Sequence, residues 1–481
     1  MIKVRPILFV LGLLLCILAA AMVLPAIIDV ADNNPGWQVF VASALMTFFI
    51  GGLLVVAAYE DTSVQLGIKE GFLLTTLCWL LLTAFSAVPF VGLGLTYTDA
   101  FFEAMSGLTT TGSTVLVGLD QLPRGILLWR ALLQGIGGLG IIAMAIIILP
   151  FLRVGGMQLF HAESSDRSEK VMPRALELMM AIAGIYLILL LACTAAYLFF
   201  GMTIFDAVCH ALTTVSTAGF STHDASFGFF QSSALEWVCI VFMISGALPF
   251  VVYIKAARGQ SSAVWADTQV RGFMLFLISI WLIVTFWLVA TRDIPVMEAF
   301  RAAAFNVTSI ITTTGYATED FTKWGTFAVG LFFVLFFFGG CSGSTTGGIK
   351  IYRLQVAGML TRSHFLHLIS PNRIVTLVYS GRRLPDDVPF SVVAFLAIYM
   401  ATIGVFTVVL SAMGLDFVTA LSSATQAVGN VGPGLGEYVG PGGSFSSIPL
   451  GAKWVLSAAM LLGRLELFTV LVLLRPEFWR T

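Results

Sequence analysis

Apolar residues run along this chain in blocks of about 20, the length a helix needs to cross a bilayer's hydrocarbon core. The blocks fall at 7–28, 38–58, 71–92, 125–151, 176–200, 233–254, 273–290, 325–349, 388–412 and 452–474. They predict ten transmembrane helices. One block is irregular. From Gly325 to Phe338 it is almost wholly apolar, and then, with the span unfinished, it turns into "GGCSGSTTGGIK". That composition predicts a helix broken inside the membrane.

The polar connections are unequal. Beyond the first two helices, four connections on one side are long, and each carries a small-residue segment ending in a Thr/Ser/Gly cluster. These are "YTDAFFEAMSGLTTTGST", "IFDAVCHALTTVSTAGFST", "MEAFRAAAFNVTSIITTTGYAT" and "DFVTALSSATQAVGNVGPGLG". Aligned on Gly112, Gly219, Gly315 and Gly432, they share Ala twelve residues upstream (Ala100, Ala207, Ala303, Ala420). Four upstream stands an aliphatic residue in each (Leu108, Val215, Ile311, Val428), and eight upstream Ala, Ala, Val and Ala. A stripe at that spacing lies on one helix face. One unit of roughly 100 residues, consisting of helix, short re-entrant helix, loop and helix, is therefore repeated four times.

The predicted fold is an all-α polytopic membrane protein with four pseudo-symmetric helix–pore loop–helix repeats around a central pore, plus two N-terminal helices. The expected units are 1–69 (N-terminal pair), 70–155, 156–260, 261–365 (with the broken second helix) and 366–481.

Non-helical backbone at membrane depth is tolerated where it is buried in protein or lines a watery cavity. Four such loops about one axis present rings of carbonyls, which replace the hydration shell of a permeating cation. Glycine removes a crowding side chain, and the neighbouring Thr110, Thr111, Thr217, Thr313 and Thr314 add neutral oxygens. The bland alternative is four surface turns. Recurrence after the same stripe argues against it.

Composition agrees with a membrane protein. Hydrophobic residues make up 58% and charged residues 11%, with a mean hydropathy of +0.96; a soluble globule carries about 25% charge. A net charge of −1 without a basic tail points to no nucleic-acid partner. The six cysteines include no C-x-x-C pair and mostly sit in apolar runs, as small hydrophobes. With the N-terminus inside, 18 of the 25 Lys and Arg residues fall on the cytoplasmic side, Lys350 and Arg353 among them. Both termini are then cytoplasmic.

With "TTTGYAT", "GGCSGSTTGGIK", "GNVGPGLG" and "LLGRLELFTV" in these positions, the chain resembles the Trk/Ktr/HKT superfamily of cation transporters over essentially its whole length. The two extra N-terminal helices make it most similar to the bacterial TrkH-type subunit. The resemblance implies potassium translocation across a bacterial inner membrane, with Thr110–Thr111–Gly112, Thr217–Ala218–Gly219, Thr313–Thr314–Gly315 and Asn430–Val431–Gly432 as the filter that binds the ion. It further implies an intramembrane gate made by Gly339, Gly340, Cys341, Ser342, Gly343, Ser344, Thr345, Thr346, Gly347 and Gly348 together with Arg464. Gly at position 112, where sodium-favouring members carry Ser, points to potassium. Asn430, Val431 and Pro433 depart from the Thr-Gly pattern, so only approximate fourfold symmetry is expected. The resemblance also implies a homodimer and a cytosolic TrkA-type regulatory subunit carrying the nucleotide, with no cofactor on this chain. The basic stretches from Arg153 to Arg174 and Lys350 to Arg383 offer a docking surface for it, although positive-inside topology explains them equally.

Arg464 lies near mid-bilayer in the last block, where an arginine costs from about 3 to more than 10 kcal/mol unless solvated or partnered. Glu466, two residues on, points to another helix face and is a weak partner. Arg464 stands as far beyond Gly432 as Gly347 beyond Gly315, so arginine and broken helix share a depth.

Other signals carry less. "GSTTGGIK" lacks the Lys directly after its second conserved glycine that a phosphate loop requires. "GIGGLG" at Gly135–Gly140 lies within an apolar block and reads as close helix packing. His364 and His367 read as surface residues, and Asp99 and Asp206 as N-caps of the re-entrant helices rather than an acidic mouth ring. No nucleophile–base pair or metal cluster points to an enzyme. The rival function is a solute–cation symporter with a midplane site.

Overall fold

The computed structural model describes residues 3–59, 67–147, 171–436 and 438–480. The basic stretch around Arg153, Arg167 and Lys170, the end of the block predicted at 125–151 and the boundary predicted at 155/156 lie outside the described residues. The described residues are mostly helical, and their two short strands, Val378–Tyr379 and Arg382–Arg383, form one small hairpin.

Two helices, α1 (Val4–Ala31) and α2 (Trp37–Ala58), open the chain. They pack closely because Gly12 and Gly51 face each other: a Cβ on Gly12 would lie 2.7 Å from the Gly51 carbonyl oxygen. Four units follow. The first comprises α3 (Ile68–Gly92), the pore helix α4 (Tyr97–Leu108) and α5 (Arg124–Ile147). The second has α6 (Val171–Phe199), pore helix α7 (Ile204–Val215), α8 (Ser233–Ala247) and α9 (Phe250–Ala257). The third has α10 (Thr268–Arg292), pore helix α11 (Val296–Ile311), α12 (Thr326–Leu335) and α13 (Ile351–Ile369). The fourth has α14 (Asp387–Ala412), pore helix α15 (Phe417–Gly429), α16 (Leu450–Arg464) and α17 (Phe468–Leu474).

Seven described helices are long and apolar enough to span a membrane, or nine if each bent pair is one span. Two of the ten blocks depart from the expectation, and a third meets it. The block at 325–349 is helical only as far as Leu335, as the glycine cluster predicts. Two further blocks are bent where straight helices are expected: α8 and α9 meet at 94°, α16 and α17 at 106°. The first bend has a readable cause, since Pro249 supplies no N–H and follows Gly246 in "SGALPF". The second has none, because it turns on the positive φ of two non-glycine residues, Glu466 and Leu467.

The pore helices are short because each ends in the protein interior. Their stripe residues are all buried. Three carry oxygen caps on their first turn. Thr96 and Thr203 are the N-caps of α4 and α7, accepting from the N–H of Asp99 and Asp206, whose carboxylates in turn accept from those hydroxyls at 2.7 Å. The aspartates expected as caps thus stand at the third helical position, one turn inside, and bond the cap hydroxyl. Asp416 caps α15 directly. These N-termini mark one face of the molecule, the mouth face.

Candidate ion path

In the first, second and fourth units the stripe's −4 residue seats the pore helix against the unit's second helix. The carbonyl of Leu108 lies against Gly137, that of Val215 against Gly246 and that of Val428 against Gly463, each too close for any Cβ. "GIGGLG" is therefore a packing surface, as expected.

Each pore helix then ends in the same backbone turn. The residue two before the aligned glycine is left-handed in all four units: Thr110 (φ 50°), Thr217 (51°), Thr313 (56°) and Asn430 (52°). The glycines follow at φ 91°, 78°, 84° and 107°. Asparagine tolerates the left-handed region, so the fourth loop keeps the geometry that its sequence departs from.

The glycines close a ring. A side chain on Gly112 would overlap the Ala218 carbonyl oxygen, one on Gly219 that of Thr314, and one on Gly315 that of Val431; one on Gly432 would meet that of Thr111 at 2.9 Å. Each glycine abuts the carbonyl of the residue before the next glycine, and the fourth returns to the first. The twelve predicted residues thus come together.

Side chains from behind hold this ring. Gln134 donates to the Ala218 carbonyl (2.8 Å) and accepts from the Phe220 N–H (3.0 Å). Gln426 accepts from the Gly432 N–H (3.2 Å) and from Ser113 Oγ (3.1 Å). Arg130 Nε pairs with Glu103 at 2.8 Å, both fully buried, and its Nη1 donates to the Ser221 carbonyl. Glu103 also accepts from Thr114 Oγ1 and the Val115 N–H. Sequence reasoning missed this pair, although a signal existed: Arg130 is a charge well inside an apolar block. Glu103→Ala is expected to lower stability by about 3–5 kcal/mol, the penalty for stranding a buried arginine, read as thermal unfolding in detergent.

On the mouth face, His223 is clasped between two units. Its Nδ1 lies 2.5 Å from Asp120 Oδ1 and its Nε2 3.4 Å from Asp206 Oδ1, while the ring stacks on Phe229. Burial disfavours the charged imidazole, but the two carboxylates outweigh it and raise its pKa. Hydrogen bonding to His223 lowers that of Asp120. The His223 contribution is complete below the ordinary imidazole pKa of about 6.5 and is lost as pH rises through the raised value. The Asp120 contribution is present above about 3.9 and is lost as pH falls through the lowered value. The stability difference between wild type and His223→Asn is therefore expected to peak near pH 5–6 and to shrink above pH 7, as thermal unfolding across pH would read.

Beneath the ring, on the side away from the mouth, lies the broken segment. Phe338 and Ile349 pair as a parallel bridge and close it into a loop. Gly339 admits no side chain because the Gly347 carbonyl lies against it, and Gly347 none because of the Gly429 carbonyl. The Cys341 N–H donates to the Ala247 carbonyl, Ser342 N–H to Gln269 Oε1, and the Gly343 carbonyl accepts from Phe250 N–H. Thus the loop fills the bend between α8 and α9. Ser344 Oγ and the Gly340 N–H both reach Thr346 Oγ1, while Gly348 turns at φ 64°.

Arg464 lines one cavity with Gly343, Ser344, Thr346, Gly347 and Gly348. The structure brings together all the predicted gate residues except that Gly339, Gly340, Cys341, Ser342 and Thr345 form the loop's body rather than this cavity's wall. Arg464 is buried, and its Nε and Nη2 have no hydrogen-bond partner among the described residues. Glu466, expected to be a weak partner for Arg464, pairs instead with Arg353. Two of the cations expected on the cytoplasmic side are buried in the protein. Lys350 and Arg353 are buried beside Arg464, Lys350 donating to the Thr346 carbonyl and Arg353 stacking on Phe395. They lie inside because the helix is broken before them and resumes only at Ile351.

The fold and this arrangement define a polytopic helical membrane protein with four re-entrant loops on one axis. Residues 36–480 match the TrkH family, described as cation transport protein. The chain belongs to that family. It is 45% identical to the Trk system potassium uptake protein TrkI of Halomonas elongata, over 99% of this chain and 97% of that one. It is 37% identical to the Trk system potassium uptake protein TrkH of Vibrio parahaemolyticus, over 99% of each. The crystal structure of the potassium transporter TrkH from Vibrio parahaemolyticus superposes with a TM-score of 0.92 at 35% identity, covering 100% of both chains.

Proposed function

We propose that this chain takes up potassium through the ring, with Thr110–Gly112, Thr217–Gly219, Thr313–Gly315 and Asn430–Gly432 as selectivity filter and the loop Gly339–Gly348 with Arg464 as gate. The observation that carries this reading is the closed cycle of glycine–carbonyl contacts, beside which stand neutral backbone, hydroxyl and amide oxygens. Neutral oxygens in rings suit a monovalent cation. The names of the relatives, potassium uptake proteins of Trk systems, support the same ion and a function alongside other Trk components. A homodimer and a cytosolic TrkA-type nucleotide-binding regulatory subunit belong to the proposal, as do the N-terminal pair and four pore units as its organisation. So does an orientation in a bacterial inner membrane with the mouth face outside and both termini in the cytoplasm.

A solute–cation symporter usually places ionisable residues at its midplane site. Here Glu103 is neutralised by Arg130 and Glu466 by Arg353, which favours a pore. Rubidium influx into proteoliposomes tests the choice. Influx independent of any organic solute and competed by potassium is expected; influx that requires an amino acid or sugar would overturn the reading.

A further inference from the structure

The cavity beneath the loop holds more positive charge than the protein answers. Lys350, Arg353 and Arg464 line it, and among the described residues Glu466 is the one carboxylate that does so. Glu466 is engaged by Arg353 Nη2. Lys350 Nζ donates to the carbonyl and the hydroxyl of Thr346, both neutral. No acid pairs with Arg464 among the described residues. An arginine keeps its proton at any working pH, so this charge cannot be shed.

Hydrogen-bond donors are in excess as well. Arg464 Nε and Nη2, Arg353 Nε and the Tyr399 hydroxyl are buried and have no hydrogen-bond partner among the described residues. These side chains belong to residues only 3%, 1% and 2% exposed, and all three residues line the same cavity. Guanidinium nitrogens can only donate, so they cannot satisfy one another. Buried polar atoms without partners are scarce and call for an explanation.

A water molecule could accept from these donors, but it would leave the charge unanswered, and a buried charge without a counter-charge is costly. A small anion supplies the acceptor and the missing charge together. The cavity, at about 30 Å³, exceeds the space that one water needs. We propose that it is a binding site for a small inorganic anion, held by Arg464, Arg353 Nε and the Tyr399 hydroxyl, and that the anion is the counter-ion of the buried cations. The site stands independently of the reading of the loop and Arg464 as a gate.

The test uses the full chain purified in detergent, in potassium gluconate whose bulky anion is exchanged stepwise for chloride at constant potassium. An anion that binds the folded protein stabilises it by mass action, so the midpoint of thermal unfolding is expected to rise with chloride, by roughly 2 °C or more at saturation. Tyr399→Phe keeps all three cations and removes one donor. The chloride concentration at half-effect is expected to rise about fivefold in that variant. Arg464→Met is expected to abolish the dependence. Bromide, located by its anomalous scattering in crystals of the full chain, is expected in the cavity beside Arg464 and Tyr399. A wild-type midpoint indifferent to chloride would overturn the site. So would an equal response in wild type, Tyr399→Phe and Arg464→Met, or bromide found only elsewhere. If Arg464→Met does not fold, Tyr399→Phe and the bromide position decide.

Discussion

Replacing Gly219 by alanine is expected to abolish potassium uptake in a strain that depends on this protein, by at least a hundredfold at normal membrane levels. Two independent constraints meet at this residue. Its backbone is left-handed at φ 78°, which costs an L-residue about 1–2 kcal/mol. The heavier penalty is steric: the new methyl would overlap the Thr314 carbonyl oxygen of the next loop, a rigid backbone atom that cannot rotate aside. Either the Thr314 peptide turns or the two loops separate, and each outcome removes oxygens from the path. Gly432→Ala is expected to be milder, because its methyl would stand 2.9 Å from Thr111 O. Equal loss in both variants would argue that left-handed strain, not crowding of the ring, is the cause.

Arg464→Ala is expected to raise rubidium influx at least tenfold in the absence of any regulatory subunit, whereas Arg464→Lys stays near wild type. The argument is electrostatic. A unit charge repels a monovalent cation by about 4 kcal/mol at 4 Å in an effective dielectric of 20, and by half that at twice the distance. Other cations line the same cavity, but Arg353 is neutralised by Glu466 and Lys350 is engaged by Thr346. Arg464 faces the cavity with two guanidinium nitrogens unpartnered, so its charge is the least compensated. Influx in Arg464→Ala that matches wild type would remove this residue from the gate.

Much of the ring was legible because periodicity and composition act locally. The small-residue stripe, the glycines and the Thr/Ser clusters all lie within a dozen residues of each other, and comparing four copies exposed them. The broken third-unit helix was legible for the same reason, since a cluster of five glycines inside an apolar block has few other readings. What escaped depends on contacts distant in sequence. Glu103 and Arg130 belong to different helices, and nothing local marks them as a pair. Lys350 and Arg353 follow a polar segment and so read as cytoplasmic, whereas the interrupted helix leaves them inside. The bend after Arg464 is set by the backbone of Glu466 and Leu467, residues with no intrinsic preference for it.

All four loops belong to one polypeptide, and this distinguishes the ring from one assembled out of identical subunits. In a homotetramer any substitution appears four times, so a lining position is symmetric or not at all. Here each quadrant can diverge alone: an amide stands at Asn430 where three hydroxyls stand elsewhere, and the glycine-rich loop packed beneath the ring arises from the third quadrant only. A single polypeptide frees the quadrants from identity and so has room for one loop beneath the ring, contributed by one quadrant.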